Sequence, residues 1–239
     1  MLIYGIHACK SAVTLRKQDV LRVYVADNKP IPTWLSRIPK NKLSHVDEIE
    51  LQRMLPKNAT HQGVAIEIDS VQFRDVTELS STPKNCVVAI LDGVTDPHNL
   101  GSIIRSAAAF GVKGIILTER SSCKVTGVVA KTASGGLDRV SIYIVKNLAQ
   151  TIDILKSYGF WIVAFSERGD KLTHELDLRG KTCIILGSEG SGIRRLQIEN
   201  ADFVTTLPTN PQFPTLNVSI AAAIGFYEVA RQNGFGFED

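Results

Sequence analysis

The chain has 239 residues, a formal net charge of +3, 44% hydrophobic and 21% charged residues, a composition that excludes a disordered or low-complexity protein. It is long enough for one large domain or for a small domain joined to a medium one, and no apolar run approaches the length of a membrane span. The four cysteines, Cys9, Cys86, Cys123 and Cys183, form no C-x-x-C pair, so neither a metal site nor a disulfide framework is expected, and with no leader pattern at "MLIYGIHACK" the sequence predicts an unprocessed, soluble, cytoplasmic protein.

From the start of the chain, the periodicity predicts a helix over 5–17, a strand at "VLRVYVAD", a helix at "HVDEIELQRML" with Asp47 near its start, and a closing strand at "GVAIEI". This compact α/β unit, residues 1–68, carries 10 Lys and Arg against 6 Asp and Glu, leaving 17 against 18 for the rest. Its basic excess weakly suits a polyanion, although a solvated basic face has the same signature. Residues 69–83 turn polar and end in Ser, Thr and Pro, which predicts a linker.

Beyond it, residues 84–239 alternate strand and helix. The apolar runs "CVVAIL", "GIILT", "VSIYIV", "FWIVAF", "CIILG" and "DFVTTL" read as buried strands separated by helices near 99–110, 147–158 and 217–231. The expected fold class is α/β, with a mostly parallel sheet covered by helices. Ligands of such sheets bind at the carboxyl ends of strands, which directs attention to the loops after Leu91, Leu186 and Leu207.

The first loop, "DGVTDPHNLGSIIRSAAAF", offers Asn99 as a helix cap and Arg105 at the border of the stripe formed by Leu100, Ile103, Ile104, Ala107, Ala108 and Phe110. On spacing alone Arg105 is also an ordinary surface arginine. The second loop, "LGSEGSGIRRL", spaces its glycines as G-x-x-G-x-G, has no Lys-Ser/Thr, and places Glu189 in the turn, where it would repel phosphate. It suits a neutral or cationic ligand, or one bearing hydroxyl donors. The third loop, "LPTNPQFPTLNVSIAAAIGFYE", holds three prolines that preset its geometry before a helix rich in small residues. Ser219, Ala221, Ala222, Ala223 and Gly225 permit close packing, either in the core or against a second subunit.

These three loops, in this order, resemble the motifs of the SpoU (TrmH-like) family of SPOUT methyltransferases: Asn99, Gly101 and Arg105; Gly187, Glu189, Gly190 and Gly192; Leu216, Asn217 and Ser219. "YGIHA", "HQGVAI" and "DGVTDPHNLG" are most similar to members that methylate a guanosine 2′-hydroxyl of 23S ribosomal RNA. The resemblance covers nearly the whole chain. It implies a ribosomal-protein-like RNA-binding domain at 1–68, a catalytic domain at 84–239 closed by a deep C-terminal trefoil knot, S-adenosylmethionine as cofactor, no metal, and a homodimer formed around the first-motif and last helices. The implied cofactor residues are Leu186, Gly187, Gly190, Leu207, Leu216 and Ser219. Transfer RNA is the alternative substrate. The chain departs from the family pattern in the third motif: Thr209 and Thr215 stand where Ile-Pro-Met and Ser-Leu-Asn-Val-Ser are usual, and Pro211 and Pro214 occupy a segment usually richer in Gly and Ser.

The implied chemistry is transfer of a methyl group to a ribose 2′-hydroxyl. That hydroxyl is a weak nucleophile near neutral pH, so the enzyme has to align it and ease departure of its proton. Arg105 is expected beside the hydroxyl or the adjacent phosphate. A guanidinium stays charged in proteins, so Arg105 is expected to stabilise developing alkoxide charge rather than accept the proton. Asn99, Glu189, Thr215 and Asn217 are expected to orient the ribose and Arg105. Two rival classes fit less well: a nucleotide-binding dehydrogenase needs G-x-G-x-x-G after its first strand, and a non-catalytic RNA-binding adaptor has no need of Asn99, Arg105, Glu189 and Asn217 together.

Overall fold

The computed structural model describes residues 1–188 and 190–235. The front of the chain forms β1 (Leu2–Tyr4), α1 (Ile6–Leu15), β2 (Val20–Ala26), β3 (Leu43–Val46), α2 (Glu48–Arg53) and β4 (Val64–Ile68). Their four-stranded sheet runs β1-β4-β2-β3. The segment expected as one helix at "HVDEIELQRML" is split. Its first residues pair with β2 as β3, and Asp47 then caps α2 by accepting from the amides of Ile49 and Glu50. A short polar side chain at the start of a helix satisfies amides that have no partner inside it. β1, too short to show a period, closes the sheet edge against β4.

Residues 69–83, expected as a linker, are partly built into the second sheet. The Arg74 amide donates to the Ile142 carbonyl at 2.9 Å. Asp75 and Glu78 then form a capping box on the 3₁₀ turn Val76–Ser81, the reciprocal arrangement that a D-x-x-E spacing produces. Leu79 in this turn is fully buried beneath the second sheet.

The second sheet contains β5 (Cys86–Asp92), β6 (Gly114–Thr118), β7 (Ser141–Val145), β8 (Trp161–Phe165), β9 (Lys171–Leu172), β10 (Lys181–Gly187) and β11 (Phe203–Thr206), joined through α3 (Pro97–Ala109), α4 (Gly127–Ala133), α5 (Leu148–Ser157), α6 (Arg195–Glu199) and α7 (Val218–Gln232). Its order is β7-β6-β5-β10-β8-β11-β9, and every pairing is parallel. The α/β class and the parallel sheet agree with the sequence. β9, only two residues long, and α4 lie outside the elements named from the sequence.

The strand order explains where the site lies. From β5 the chain moves outward through β6 and β7, then returns to the other side at β8, and β10 later inserts between β5 and β8. Ligands of such sheets bind where the order reverses, outside the carboxyl ends of the strands. The loops after β5 and β10 are therefore neighbours, with Asp92 and Gly187 aligned in register.

α7 lies across the sheet with its two ends fixed. Near its end, Gln232 accepts from the Leu178 amide at 2.7 Å and donates to the Leu176 carbonyl at 3.0 Å. Ala222 and Gly225 point inward, and a Cβ at Gly225 would meet Phe165 at 3.0 Å and Ile184 at 3.5 Å. Ala222 and Gly225 thus fit this helix to its own core, while Ser219, Ala221 and Ala223 stay half-exposed. The apolar side chains left outward are Ile220, Ile224 and Tyr227.

Candidate functional site

Asp96, not Asn99, caps α3. Its carboxylate accepts from the amides of His98 and Asn99 at 3.1 and 3.3 Å, and Pro97 takes the first helical position, where no amide donor is needed. The Asn99 side chain is thereby released from capping. It is buried and accepts from Asn217 Nδ2 at 3.0 Å. Asn217 in turn caps α7, its Oδ1 accepting from the Ser219 amide at 2.8 Å and the Ser219 hydroxyl at 2.6 Å. Two asparagines 118 positions apart thus tie the first loop to the third. Each amide side chain both donates and accepts, a capacity that neither Asp nor Ser supplies in the same shape.

The second loop is anchored from beneath. Asp92, at the end of β5 and fully buried, accepts from the Arg194 amide at 3.0 Å and from Arg194 Nε at 2.7 Å, with a further contact to its terminal nitrogen. Between these anchors the Ser188 and Gly192 backbones exchange hydrogen bonds. A Cβ on Gly187 would lie 2.1 Å from the Gly192 carbonyl carbon, so only glycine permits this closure, whereas Gly190 and Gly192 adopt positive φ and face open space. Arg195 is paired with Glu199 at 2.7 Å. Both arginines that follow the glycines are thus neutralised by carboxylates, and the turn offers no free cation to a phosphate. Glu189 lies outside the described residues.

The third loop is largely exposed. Thr209 reaches the Pro214 carbonyl at 3.3 Å, and Asn210 accepts from Gln212 and Phe213. Leu186 is buried at the end of β10, Leu207 is half-buried, and Leu216 and Thr215 are exposed.

Arg105 does not join the Asn99–Asn217 pair. Six residues further along α3, it lies about 9 Å along the axis and roughly 120° around it from Asn99. Its side chain lines a cleft against α1, and no carboxylate among the described residues comes within ion-pair distance of it.

Thiol chemistry is disfavoured throughout: burial pushes Cys9 and Cys183 far above the ordinary thiol range and raises Cys86 and Cys123 as well. Among the described residues no three His, Cys, Asp or Glu side chains converge as a metal site would need.

The chain has counterparts among known proteins. The SpoU rRNA methylase family profile matches residues 86–227, and that of the RNA 2′-O ribose methyltransferase substrate-binding family matches residues 2–74. The chain belongs to the SpoU rRNA methylase family.

Relatives of this SpoU methylase include the 23S rRNA (guanosine-2′-O-)-methyltransferase RlmB of Coxiella burnetii, 39% identical over 237 residues that cover 96% of this chain and 95% of that one. RlmB of Pseudomonas aeruginosa is 32% identical over 239 residues, covering 96% of each. In fold this chain matches the SpoU methyltransferase AviRb from Streptomyces viridochromogenes, solved in complex with AdoMet, with a TM-score of 0.79 at 21% identity over 97% of this chain and 89% of that one. The TrmH/SpoU tRNA modifying enzyme of A. aeolicus matches with a TM-score of 0.56 at 28% identity, over 66% of this chain and 80% of that one.

The glycine-rich second loop of this SpoU methylase suits S-adenosylmethionine on its own chemistry. Residues 187–192 contain no Lys or Arg, and the adjoining Arg194 and Arg195 are paired with Asp92 and Glu199. A neutral adenosine and a positively charged sulfonium fit such a surface better than a phosphate does. Reading the sequence alone missed Asp92, Asp96 and Arg194. The signal for Asp92 was a charge closing an apolar strand, at "AILDG".

Proposed function

We propose that the protein is an S-adenosylmethionine-dependent methyltransferase acting on the ribose 2′-hydroxyl of a guanosine in 23S ribosomal RNA, in the cytoplasm. The observation that carries this reading is the Asn99–Asn217 hydrogen bond at the carboxyl ends of the strands. It gathers the first and third motif loops beside the glycine-rich second loop. The near-complete coverage of the RlmB relatives, together with the substrate-binding match at residues 2–74, supports ribosomal RNA over transfer RNA. The likeness to the tRNA modifying enzyme extends over a smaller share of the chain.

Leu186, Gly187, Gly190, Leu207, Leu216 and Ser219 hold the cofactor in this reading. When bound, S-adenosylmethionine supplies a methyl group already activated by its sulfonium. Asn99, Thr215 and Asn217, with Glu189, would hold and orient the ribose for transfer to its 2′-oxygen. Arg105 stabilises charge that develops on the oxygen or on the neighbouring phosphate, and the proton passes to water or phosphate. The segment from β11 to α7 is threaded as the trefoil knot of this family. The protein works as a homodimer, in which the outward Ile220, Ile224 and Tyr227 of α7 are covered by the second subunit.

The test is transfer of label from S-adenosylmethionine to unmodified 23S transcript, followed by mapping of the modified nucleotide. Transfer to a ribose oxygen of 23S RNA is the expected result. Label that appears on transfer RNA but not on the 23S transcript would replace the substrate, and no transfer to any RNA would overturn the reading.

A further inference from the structure

Between α1 and the second sheet lies a cleft of about 460 Å³. One wall is a single face of α1, with His7, Lys10, Ser11 and Thr14 at helical spacing, and the opposite wall is α3 around Arg105. The floor is the turn "ASGGLDR" after α4, which ends at Arg139. This turn approaches both walls closely. A Cβ on Gly135 would come within 2.8 Å of Ser11 Cβ, and one on Gly136 within 3.2 Å of Arg105 Cα. Both units are locked across it: the Ser11 hydroxyl donates to the Gly135 carbonyl at 3.2 Å, Lys131 donates to Gln62 at 2.9 Å, and Arg16 pairs with the nearly buried Asp138 at 2.5 Å.

The charge in this cleft is one-sided. Lys10, Arg105 and Arg139 line it, and no Asp or Glu does. Asp138, the nearest acid in sequence, is occupied by Arg16. None of the three cations forms an ion pair with another described residue. Neighbouring cations held without counter-charges repel one another, and an anion entering between them relieves that repulsion. The lining contains no Phe, Tyr or Trp, so the cleft offers no platform for stacking bases. Its hydroxyls, main chain and cations suit the sugar-phosphate backbone.

We propose that this cleft binds the backbone phosphates of the RNA strand next to the target nucleotide, with Lys10 of the front unit and Arg139 of the catalytic unit as phosphate ligands that extend the track begun by Arg105. The assignment rests on the RNA methyltransferase reading above. It gives the front unit a specific role in binding, because α1 supplies half of a phosphate site whose other half borders Arg105.

The test uses the full-length protein and an unmodified 23S transcript. Lys10→Ala and Arg139→Ala should each raise the KM for RNA about threefold or more and lower the slope of log affinity against log salt by roughly 0.7–0.9, the change expected when one phosphate contact is removed. Turnover at saturating RNA and affinity for S-adenosylmethionine should stay near wild type. Lys10→Arg should restore the slope, and Lys10→Glu should weaken binding further. Arg179→Ala, outside the cleft lining and paired with Asp177, serves as the control and should change neither quantity. A Lys10→Ala/Arg139→Ala protein with wild-type KM and salt slope would overturn the assignment, as would weaker binding with an unchanged slope, which marks a packing defect. If wild type methylates the transcript while the double variant binds it normally, the cleft assignment fails alone. If wild type methylates no RNA, the functional reading fails first.

Discussion

Asp92 and Arg194 are joined by both main chain and side chain: the buried carboxylate at the end of β5 holds the amide and the guanidinium of a residue that closely follows the glycine-rich loop. The pair is asymmetric, with the Asp92 side chain fully buried and that of Arg194 55% exposed. Removing the acid therefore strands a partly buried amide, whereas removing the arginine side chain leaves that amide bonded. Asp92→Ala should cost about 1–3 kcal/mol of stability and weaken S-adenosylmethionine binding, because the second loop loses its anchor. Arg194→Ala should be milder in both respects. Thermal unfolding and calorimetric titration of the two variants would measure this, and equal effects would refute the anchoring role.

The Asn99–Asn217 link can be separated from helix capping by one substitution. Asn217→Asp keeps an oxygen to cap α7 through Ser219 but sets a carboxylate against the Asn99 carbonyl oxygen. The protein should remain folded, with turnover reduced at least tenfold. Asn217→Ala should lose the cap as well, at a further cost of roughly 1 kcal/mol. Single-turnover methyl transfer and urea unfolding report the two effects independently. Unimpaired transfer by a folded Asn217→Asp protein would show that the link between the loops is dispensable.

The parts of this molecule visible in the sequence are those with a local cause. Six apolar runs became strands of the parallel sheet because burial on both faces demands uninterrupted Val, Ile and Leu, and the loops that follow β5, β10 and β11 were located by the same logic. What escaped was set by partners distant in the chain. Asn99 carried a capping pattern, yet Asp96 three residues earlier fills that role, and only the arrival of Asn217 gives Asn99 its bond. Ala222 and Gly225 signalled close packing without naming the neighbour, which is Phe165 and Ile184 in the case of Gly225. Val76–Ser81 looked like a linker because Leu79 is its one fully buried residue, with Val76 only partly covered against the same core.

Leu79 also sets where the chain can be cut. A fragment beginning at residue 84 removes it and exposes the apolar surface beneath the second sheet, at a cost of about 1.5–3 kcal/mol for that side chain alone. Fragments beginning at residue 70 keep the capping box but still uncover Val129 and Ala130, which share one core with Ile3 and Val13. The longer fragment should be the more soluble and the more stable of the two, as judged by thermal unfolding. Equal stability would mean that the 3₁₀ turn contributes nothing to the second sheet.

The two faces of α7 should respond oppositely to substitution. Ala222 has no exposed surface, so Ala222→Trp should overpack the core and destabilise the monomer by about 1–3 kcal/mol or more. Ile224→Asp, on the outward stripe with Ile220 and Tyr227, should leave the monomer fold intact and weaken self-association. Sedimentation velocity paired with circular dichroism distinguishes these outcomes. A wild-type protein that sediments as a monomer at micromolar concentration would remove the dimer from the proposed function.

Arg105 carries the most direct test of mechanism. It is exposed, without an ion-pair partner among the described residues, and set apart from the Asn99–Asn217 pair around the helix. A surface arginine of this kind can usually be replaced within about 0.5 kcal/mol of stability and without loss of turnover. A cation that meets charge developing only in the transition state behaves differently: Arg105→Ala should lower turnover by roughly 10²-fold or more, with folding and cofactor affinity little changed. Arg105→Lys keeps the charge but loses the planar fork, so its residual activity divides simple electrostatic stabilisation from two-point positioning of the ribose and phosphate. Substantial activity favours the first, and activity as low as that of the alanine variant favours the second. The measurement is single-turnover methyl transfer at saturating RNA and cofactor, where weaker RNA binding no longer contributes. A folded Arg105→Ala protein that transfers methyl as fast as wild type under those conditions would leave Arg105 as a phosphate ligand of the cleft and shift stabilisation of the ribose oxygen to another group.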